Sequence, residues 1–253
     1  MPAKHIDLSI IIPAYKEGPE FSHHLDVLAA WLKKHDYGHV EVLVFSDGDH
    51  SSGELAQSKA KQFENLRAIF PGQRMGKGGA VQQAMFEAKG RYRLFMDADL
   101  ATPLHHLDTA YAALRSGNEV VIAVRDLLII HKGLKRKFMS KFGNIVAQIV
   151  LLPGIKDTQC GFKGFEATAA EDIFSRQTMK SWSFDMEILK IARLRGYKIY
   201  QIPALDWKDP KAEGMGLVGD NPLKAAIQTF IDIFVIRLNV WLGKYRRQNY
   251  KHE

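Results

Sequence analysis

The stretch from residue 92 to residue 100 reads Tyr92-Arg93-Leu94-Phe95-Met96-Asp97-Ala98-Asp99-Leu100. Its first five residues have the length and apolar character of a buried strand, and two aspartates follow directly. Four similar runs occur in the first half: Leu8–Ile12, Val40–Phe45, Leu66–Phe70 and Val120–Val124. Helix-like stretches alternate with these runs: Phe21–His35, Glu54–Phe63, Gly79–Lys89 and Leu104–Ser116. Repeated strand–helix–strand units predict an α/β fold with a mostly parallel sheet and helices on both faces.

The composition is that of an ordinary globular protein. The 253 residues are 46% hydrophobic and 25% charged, which excludes a disordered, collagenous or coiled-coil chain. A single cysteine, Cys160, excludes an intramolecular disulfide and any multi-cysteine zinc site, and we expect it to pack as a small apolar group. The formal net charge of +7 is compatible with nucleic acid, an anionic membrane or a phosphorylated substrate.

The second half is less regular. We expect helices over Phe138–Leu152 and Phe184–Arg195, a strand over Lys198–Ile202, a mobile Gly-rich loop over Lys208–Asn221 and a last helix from Leu223 to about Leu242. Basic residues flank the first and last of these helices, which favours amphipathic helices lying in an anionic membrane interface. In the last helix Lys224, Gln228 and Asp232 mark a polar stripe. Two core helices with solvated ends are the alternative.

Polar clusters follow four of the predicted strands. They are Pro13–Glu17, Ser46–Asp49, Asp97–Asp99 and Arg125–Asp126. Ligands of open parallel sheets bind outside the carboxyl ends of the strands, so these clusters predict a single site.

Asp97 and Asp99 are the first candidates for chemistry. Two carboxylates two residues apart beyond a strand end can chelate one hard cation, Mg²⁺ or Mn²⁺, and such a metal would neutralise a diphosphate leaving group. The alternative is an Asp pair that caps the helix after Pro103. His105 and His106 follow closely, and we place both on the exposed first turn of that helix.

A glycine-rich stretch, Gln73–Ala80, is a second candidate for phosphate binding. Its glycines allow close backbone approach, and the N-terminus of the following helix favours an anion near Lys77 and Gly78. A Gly-rich turn that simply enters a helix is the alternative. The spacing fits neither a Walker loop nor a dinucleotide-binding fingerprint.

Five segments together resemble family-2 glycosyltransferases with the GT-A fold, and within them the dolichyl-phosphate β-glucosyltransferases and polyprenyl-phosphate sugar synthases. Three of them are Ser9–Glu17, Arg74–Ala80 and Met96–Asp99. More specific to the subgroup are Asp157-Thr158-Gln159-Cys160-Gly161-Phe162-Lys163 and Trp182-Ser183-Phe184-Asp185-Met186-Glu187. The resemblance runs from about Leu8 to Asp209.

This resemblance implies a single GT-A-type, Rossmann-like domain over residues 1–253. About residues 7–130 would bind the nucleotide sugar, and about residues 131–253 would face the acceptor and the membrane, ending in C-terminal amphipathic helices. The N-terminal anchor of the eukaryotic glucosyltransferases has no counterpart, so we expect a cytoplasmic protein that is peripheral on the cytoplasmic face of a membrane.

The resemblance also implies residue roles. The residues that would hold the nucleotide are Pro13, Tyr15, Glu17 and Asp47. Asp97 would contact the ribose and diphosphate side and Asp99 the metal, whereas Arg125 and Arg136 would lie near the donor diphosphate or the acceptor phosphate. The usual Asp-Asp-Gly-Ser run reads Ser46-Asp47-Gly48-Asp49 here, so its first acidic residue is lost and an aspartate stands at its last position.

The expected reaction is an inverting displacement at the anomeric carbon, with UDP-glucose or alternatively GDP-mannose as donor and polyprenyl phosphate as acceptor. A lipid phosphate with a second pKa of about 6, by analogy with phosphoserine, is already an anion and needs no strong base. A soluble saccharide or other hydroxyl acceptor would need one, and Asp185 is the candidate. The remaining alternative is a basic nucleic-acid-binding module, but interleaved aromatics and a binding motif are missing, so we expect no nucleic-acid partner.

Overall fold

The computed structural model describes residues 5–125, 147–207 and 222–246. Seven strands form one sheet in the order β3-β2-β1-β4-β6-β5-β7. Their bounds are β1 Leu8–Ala14, β2 Val40–Ser46, β3 Leu66–Ile69, β4 Tyr92–Met96, β5 Val120–Arg125, β6 Phe162–Glu166 and β7 Ile199–Ala204. Strand β6 runs antiparallel to both neighbours and the other pairings are parallel, which confirms the mostly parallel α/β sheet.

Helices cover both faces of this sheet. In the described ranges they are α1 Glu20–Leu32, α2 His50–Ala60, α3 Lys77–Glu87, α4 His105–Arg115, α5 Ala167–Phe174, α6 Phe184–Leu194 and α7 Pro222–Trp241. Successive strand residues point to opposite faces, so the strands divide their apolar side chains between two cores. Ile11, Phe45 and Phe95 pack with α3, α5 and α6, whereas Ile10 and Val44 pack with α1 and α4.

Contacts of α2 and α7 fix how these two helices are placed. Helix α2 begins at His50, and the side chain of Asp49 caps it by accepting from the amides of Ser51 and Ser52. Two members of the polar stripe expected in the last helix lie on one side of α7, where Gln228 donates to Asp232. That side faces the protein, because Asp232 is buried and accepts a hydrogen bond from Ser183. The exposed side chains of α7 are largely apolar instead.

Strand β6 and helix α5 were not predicted at all. Lys163 and Gly164 interrupt the apolar run of β6, so the sequence carries no continuous strand signal there. The predicted loop Lys208–Asn221 and most of the predicted helix Phe138–Leu152 lie outside the described residues, although residues 147–150 are helical. None of the helices in the described ranges combines the length and apolarity required to cross a membrane.

Candidate active site

A cavity of about 620 Å³ opens at the carboxyl ends of β1, β2 and β4. Seven of the residues predicted for the site line it: Pro13, Tyr15, Glu17, Asp47, Lys77, Asp97 and Asp99. Other lining residues are Arg74, Met75 and Gly76 of the glycine-rich stretch, together with Ser181 and Trp182. The polar clusters of three strand ends therefore form one site, as the parallel topology requires.

Lys77 gives the cavity a fixed positive charge beside the aspartate pair. Its Nζ lies 2.6 Å from Oδ1 of Asp97 and 4.7 Å from the centroid of the Trp182 ring. Burial acts to lower the pKa of Lys77, but Asp97, together with Asp185 and Asp99, outweighs it and raises that pKa. Lys77 therefore stays protonated and can meet an anionic ligand.

The Asp97 carboxylate depends on the absence of a side chain at residue 161. A Cβ built on Gly161 would overlap that carboxylate, and the Asp97 amide donates a hydrogen bond to the Gly161 carbonyl at 3.0 Å. The second aspartate is held by its own chain, since Oδ1 of Asp99 accepts a hydrogen bond from the Ala101 amide at 3.1 Å. Leu100, between Asp99 and Ala101, has a φ of 52°, a left-handed conformation that is costly for leucine.

Asp47 holds the glycine-rich loop in place. Its carboxylate accepts hydrogen bonds from the amides of Met75 and Gly76, the residues that precede α3. Gly48, with a φ of 70°, lets this loop approach closely, because an added Cβ would lie 2.5 Å from the Arg74 nitrogen. The Arg74 guanidinium then stacks on the Tyr15 ring at 4.0 Å from its centroid, which closes one wall of the cavity.

Gly78 has a packing role that the sequence did not indicate. It does not line the cavity, and its amide and that of Gly79 donate to the Lys180 carbonyl at 2.9 and 3.4 Å. An added Cβ would lie 2.7 Å from the Phe184 Cβ. The first amides of α3 therefore bind the segment that carries Ser181 and Trp182, and phosphate binding at Gly78 stays a prediction.

Asp49 joins the loops that follow β1 and β2. Its carboxylate accepts from the amides of Lys16 and Ser52 at 2.8 and 3.2 Å, and Lys16 has a φ of 53°. Partial burial opposes ionisation, but these hydrogen bonds outweigh it and lower the pKa of Asp49 to about 2. Asp49, which stands where the family pattern has a serine, therefore holds the loops after β1 and β2 together.

Asp185 lies beneath the cavity in a buried ion pair. Its Oδ1 is 2.5 Å from Nζ of Lys163, and both side chains are almost completely buried. Burial raises the pKa of Asp185, against the lowering effect of Lys163 and Lys77. Asp185 does not line the cavity, so its role as a base stays a prediction.

Arg125 also forms an ion pair with a carboxylate that does not line the cavity. Its Nε and Nη2 donate to Asp157 at 2.6 and 3.0 Å, and its guanidinium lies 5.1 Å from the Trp207 ring centroid. Burial opposes the ionisation of Asp157, but Arg125 outweighs it and lowers the pKa of that carboxyl. The assignment of Arg125 to a phosphate stays a prediction, and Arg136 lies outside the described residues.

Glu187 holds the segment that leads to the cavity wall. Its buried carboxylate accepts from the amides of Thr178 and Met179 at 3.0 and 2.8 Å and from the Tyr245 hydroxyl at 2.8 Å. Ser181 and Trp182 follow this turn and line the cavity. The segment Trp182–Glu187, which carries the family resemblance, is a sequence signal for Trp182, whereas Ser181 lies just before that segment.

The expectation that both histidines of α4 are exposed was wrong for one of them. His105 is exposed, but His106 is buried, and its Nε2 lies 2.8 Å from Oδ1 of Asp206. Neither histidine lines the cavity.

A mostly parallel α/β sheet with an aspartate pair in a cavity at the strand ends is the arrangement of a GT-A glycosyltransferase. The chain belongs to glycosyl transferase family 2, whose sequence profile matches residues 9–174.

Curated relatives of this chain are dolichyl-phosphate β-glucosyltransferases. The protein of Dictyostelium discoideum is 31% identical over 262 residues, which covers 97% of this chain and 78% of that one. Dolichyl-phosphate β-glucosyltransferase ALG5D of Trichomonas vaginalis is 30% identical over 254 residues, covering 95% of this chain and 77% of that one.

Solved structures support the fold. Glucosyl-3-phosphoglycerate synthase from Mycobacterium tuberculosis, in complex with Mn²⁺, UDP-glucose and phosphoglyceric acid, superposes with a TM-score of 0.65. It is 13% identical in sequence, and the match covers 95% of this chain and 80% of that one.

The first prediction concerns the buried ion pair. Lys163→Met should lower the free energy of unfolding by about 3–5 kcal/mol, because it leaves the Asp185 carboxylate buried without its partner. The loss should shrink as the pH falls, since a buried acid with a raised pKa is stable in its protonated form. Urea unfolding measures both effects.

Two variants test the cause of this loss. The double variant Lys163→Met/Asp185→Leu should recover most of the stability, because a buried apolar pair replaces a buried ion pair at little cost. Exposed Lys33→Met serves as the control and should change the midpoint little. A loss below about 1 kcal/mol for Lys163→Met would contradict the role assigned to the pair.

The second prediction concerns Gly161. Gly161→Ala should displace the Asp97 carboxylate and lower kcat/KM for sugar transfer on the order of 10²-fold, while the protein stays folded. The control is Gly164→Ala three residues further on, in β6, where the new Cβ meets a flexible Leu114 methyl at 2.9 Å. Equal activity of the two variants would show that Gly161 does not position Asp97.

Proposed function

We propose that this protein transfers glucose from UDP-glucose to a polyprenyl phosphate such as dolichyl phosphate, with inversion at the anomeric carbon and with Mg²⁺ or Mn²⁺ as cofactor. The observation that carries the proposal is the Asp97 and Asp99 pair on the cavity wall of a chain whose curated relatives are dolichyl-phosphate β-glucosyltransferases.

The charge of the cavity favours a divalent cation. Four carboxylates line it, on Glu17, Asp47, Asp97 and Asp99, whereas Lys77 and Arg74 are the cationic lining residues in the described part of the chain. A diphosphate would meet a surplus of negative charge there. Asp97 and Asp99 offer the carboxylate oxygens that hard cations prefer, so the residues fit such a metal.

The residues of the cavity have distinct tasks in this proposal. Tyr15 and Arg74, stacked on each other, form an aromatic and cationic wall for the nucleotide. Lys77 faces the diphosphate and stabilises the negative charge that grows on the leaving group. A divalent cation held by Asp97 and Asp99 would supply further positive charge to the same group.

The position of Asp185 favours a phosphate acceptor. A hydroxyl acceptor needs a base that reaches its proton, but Asp185 is buried in an ion pair with Lys163 and lies outside the cavity lining. A lipid phosphate is an anion at neutral pH and needs no such base. Transfer to a soluble saccharide with Asp185 as base is therefore the second candidate.

Helix α7 supports a membrane surface as partner. Five apolar side chains, spaced three or four residues apart, form a stripe that is at least half exposed: Ile227, Ile231, Phe234, Leu238 and Trp241. We call these five residues the α7 stripe. Polar Asp232 and Asn239 point into the protein, so the helix exposes its apolar side and buries polar groups. Such a surface suits a lipid interface.

Basic side chains lie beside the α7 stripe. The pKa of Lys190 is lowered by burial and by the nearby charges of Arg237, which is on α7, and Arg193. Lys244 and Arg246 follow the helix and are exposed. Cations beside an apolar stripe favour an anionic leaflet, so we propose that the protein is peripheral on the cytoplasmic face of a membrane.

The third prediction tests the reaction. With UDP-glucose, Mn²⁺ and dolichyl phosphate, the protein should form a β-linked glucosyl lipid, whereas GDP-mannose, dolichol or a soluble saccharide should give little product. Asp99→Ala should abolish transfer while it preserves the unfolding midpoint, because it removes a metal ligand. Asp26→Ala, at an exposed ion pair with Lys59, is the control.

Chromatography of the products and NMR of the anomeric proton measure these outcomes. Full activity of Asp99→Ala would contradict the metal role. Transfer only to soluble saccharides would favour the second candidate function.

The fourth prediction tests the membrane surface. Phe234→Ser should weaken partition into vesicles that contain phosphatidylserine by about tenfold or more, because burial of one phenylalanine is worth about 1.5–3 kcal/mol. Arg237→Gln should reduce the preference for anionic over neutral vesicles. Val27→Ser, an exposed apolar residue on α1 at the opposite face of the sheet, is the control. If Phe234→Ser sediments with vesicles as the wild type does, the α7 stripe is not the membrane-binding surface.

A further inference from the structure

We propose that His105, His106 and Asp206 form a second metal site, separate from the aspartate pair and suited to a transition metal such as Zn²⁺. Nε2 of His106 lies 2.8 Å from Oδ1 of Asp206, and Nε2 of His105 lies 3.3 Å from Oδ2. One ligand atom from each of the three residues falls within 4.8 Å of the other two. None of the three lines the donor cavity.

The fold brings these residues together from two elements. His105 and His106 are the first two residues of α4, and Asp206 follows β7 after one intervening residue. The ring centroids of the two histidines are 4.2 Å apart, so both imidazoles reach the same carboxylate. His106 is buried, whereas His105 and Asp206 are about half exposed. The cluster is therefore rigid on one side and open to solvent on the other.

The donor set distinguishes this site from the aspartate pair. Imidazole nitrogens and a carboxylate suit Zn²⁺, Co²⁺ or Ni²⁺, whereas two carboxylates suit Mg²⁺ and Mn²⁺. Zinc binds such ligands at about 2.0–2.2 Å, and three protein ligands leave a fourth position for water. The present spacings require only small side-chain movements to reach those distances around one ion.

An ion at this site would link the start of α4 to the chain that leaves β7. The next residue, Trp207, contacts the Arg125 guanidinium, which pairs with Asp157. Metal binding would hold Trp207 in this position by fixing the residue before it. We therefore expect the ion to stabilise the folded protein.

Cobalt provides a direct test on the untagged full chain. Co²⁺ added in the presence of excess Mg²⁺ should give one equivalent of visible absorption typical of four- or five-coordinate nitrogen and oxygen ligation. The Asp99→Ala variant should keep this absorption, because its change lies in the other site. His105→Ala and Asp206→Asn, both at half-exposed positions, should lose it while staying folded.

Zinc provides a second readout that does not depend on activity. Zn²⁺ at about 100-fold above its Kd should raise the Tm of the wild type and of Asp99→Ala by about 5–10 °C. His39→Ala, at an exposed histidine outside the cluster, should respond like the wild type. The proposal is overturned if the wild type gives no cobalt absorption, if His105→Ala and Asp206→Asn keep it, or if Asp99→Ala loses it.

Discussion

The edge of the sheet that carries the cavity depends on one buried ion pair, between Lys163 and Asp185. A lysine buried on an interior strand is tolerated because its charge is paired with a carboxylate and a second ammonium hydrogen is bonded to a carbonyl. The Lys163 ammonium also donates to the Cys160 carbonyl at 2.5 Å, next to Gly161, which contacts Asp97. On the other side of the pair, Asp185 lies in the first turn of α6, three residues after Trp182. The pair thus joins the two segments that flank the cavity.

Two glycines let neighbouring chain segments pack closely beside the cavity. Gly161 admits the Asp97 carboxylate, and Gly78 admits the segment that carries Trp182. Residues with left-handed backbone, Lys16 and Leu100, complete the loops after β1 and β4. Such strain persists only where the surrounding hydrogen bonds fix the chain, and Asp49 and Asp97 supply those bonds here.

The sequence was most informative where its pattern was continuous. Five buried strands and their intervening helices were predicted because apolar runs alternate with helical stretches, and the parallel topology then gathered Tyr15, Asp47 and Asp97 at one edge. Strand β6 was missed because a buried lysine has no apolar signature. The wall formed by Ser181 and Trp182, and the contact of His106 with Asp206, arise from long-range packing, which no local pattern encodes.

Hydrogen bonds connect helix α7 to the cavity wall. Asp232 accepts from Ser183, and the Tyr245 hydroxyl after α7 donates to Glu187, which holds the turn before Ser181. These contacts are buried, so breaking them would leave polar groups without partners. These buried contacts fix α7 relative to the segment that carries Trp182. In the proposed enzyme, the helix that meets the lipid and the wall that meets the donor would then move as one unit, so the acceptor and the sugar would approach each other within a fixed frame.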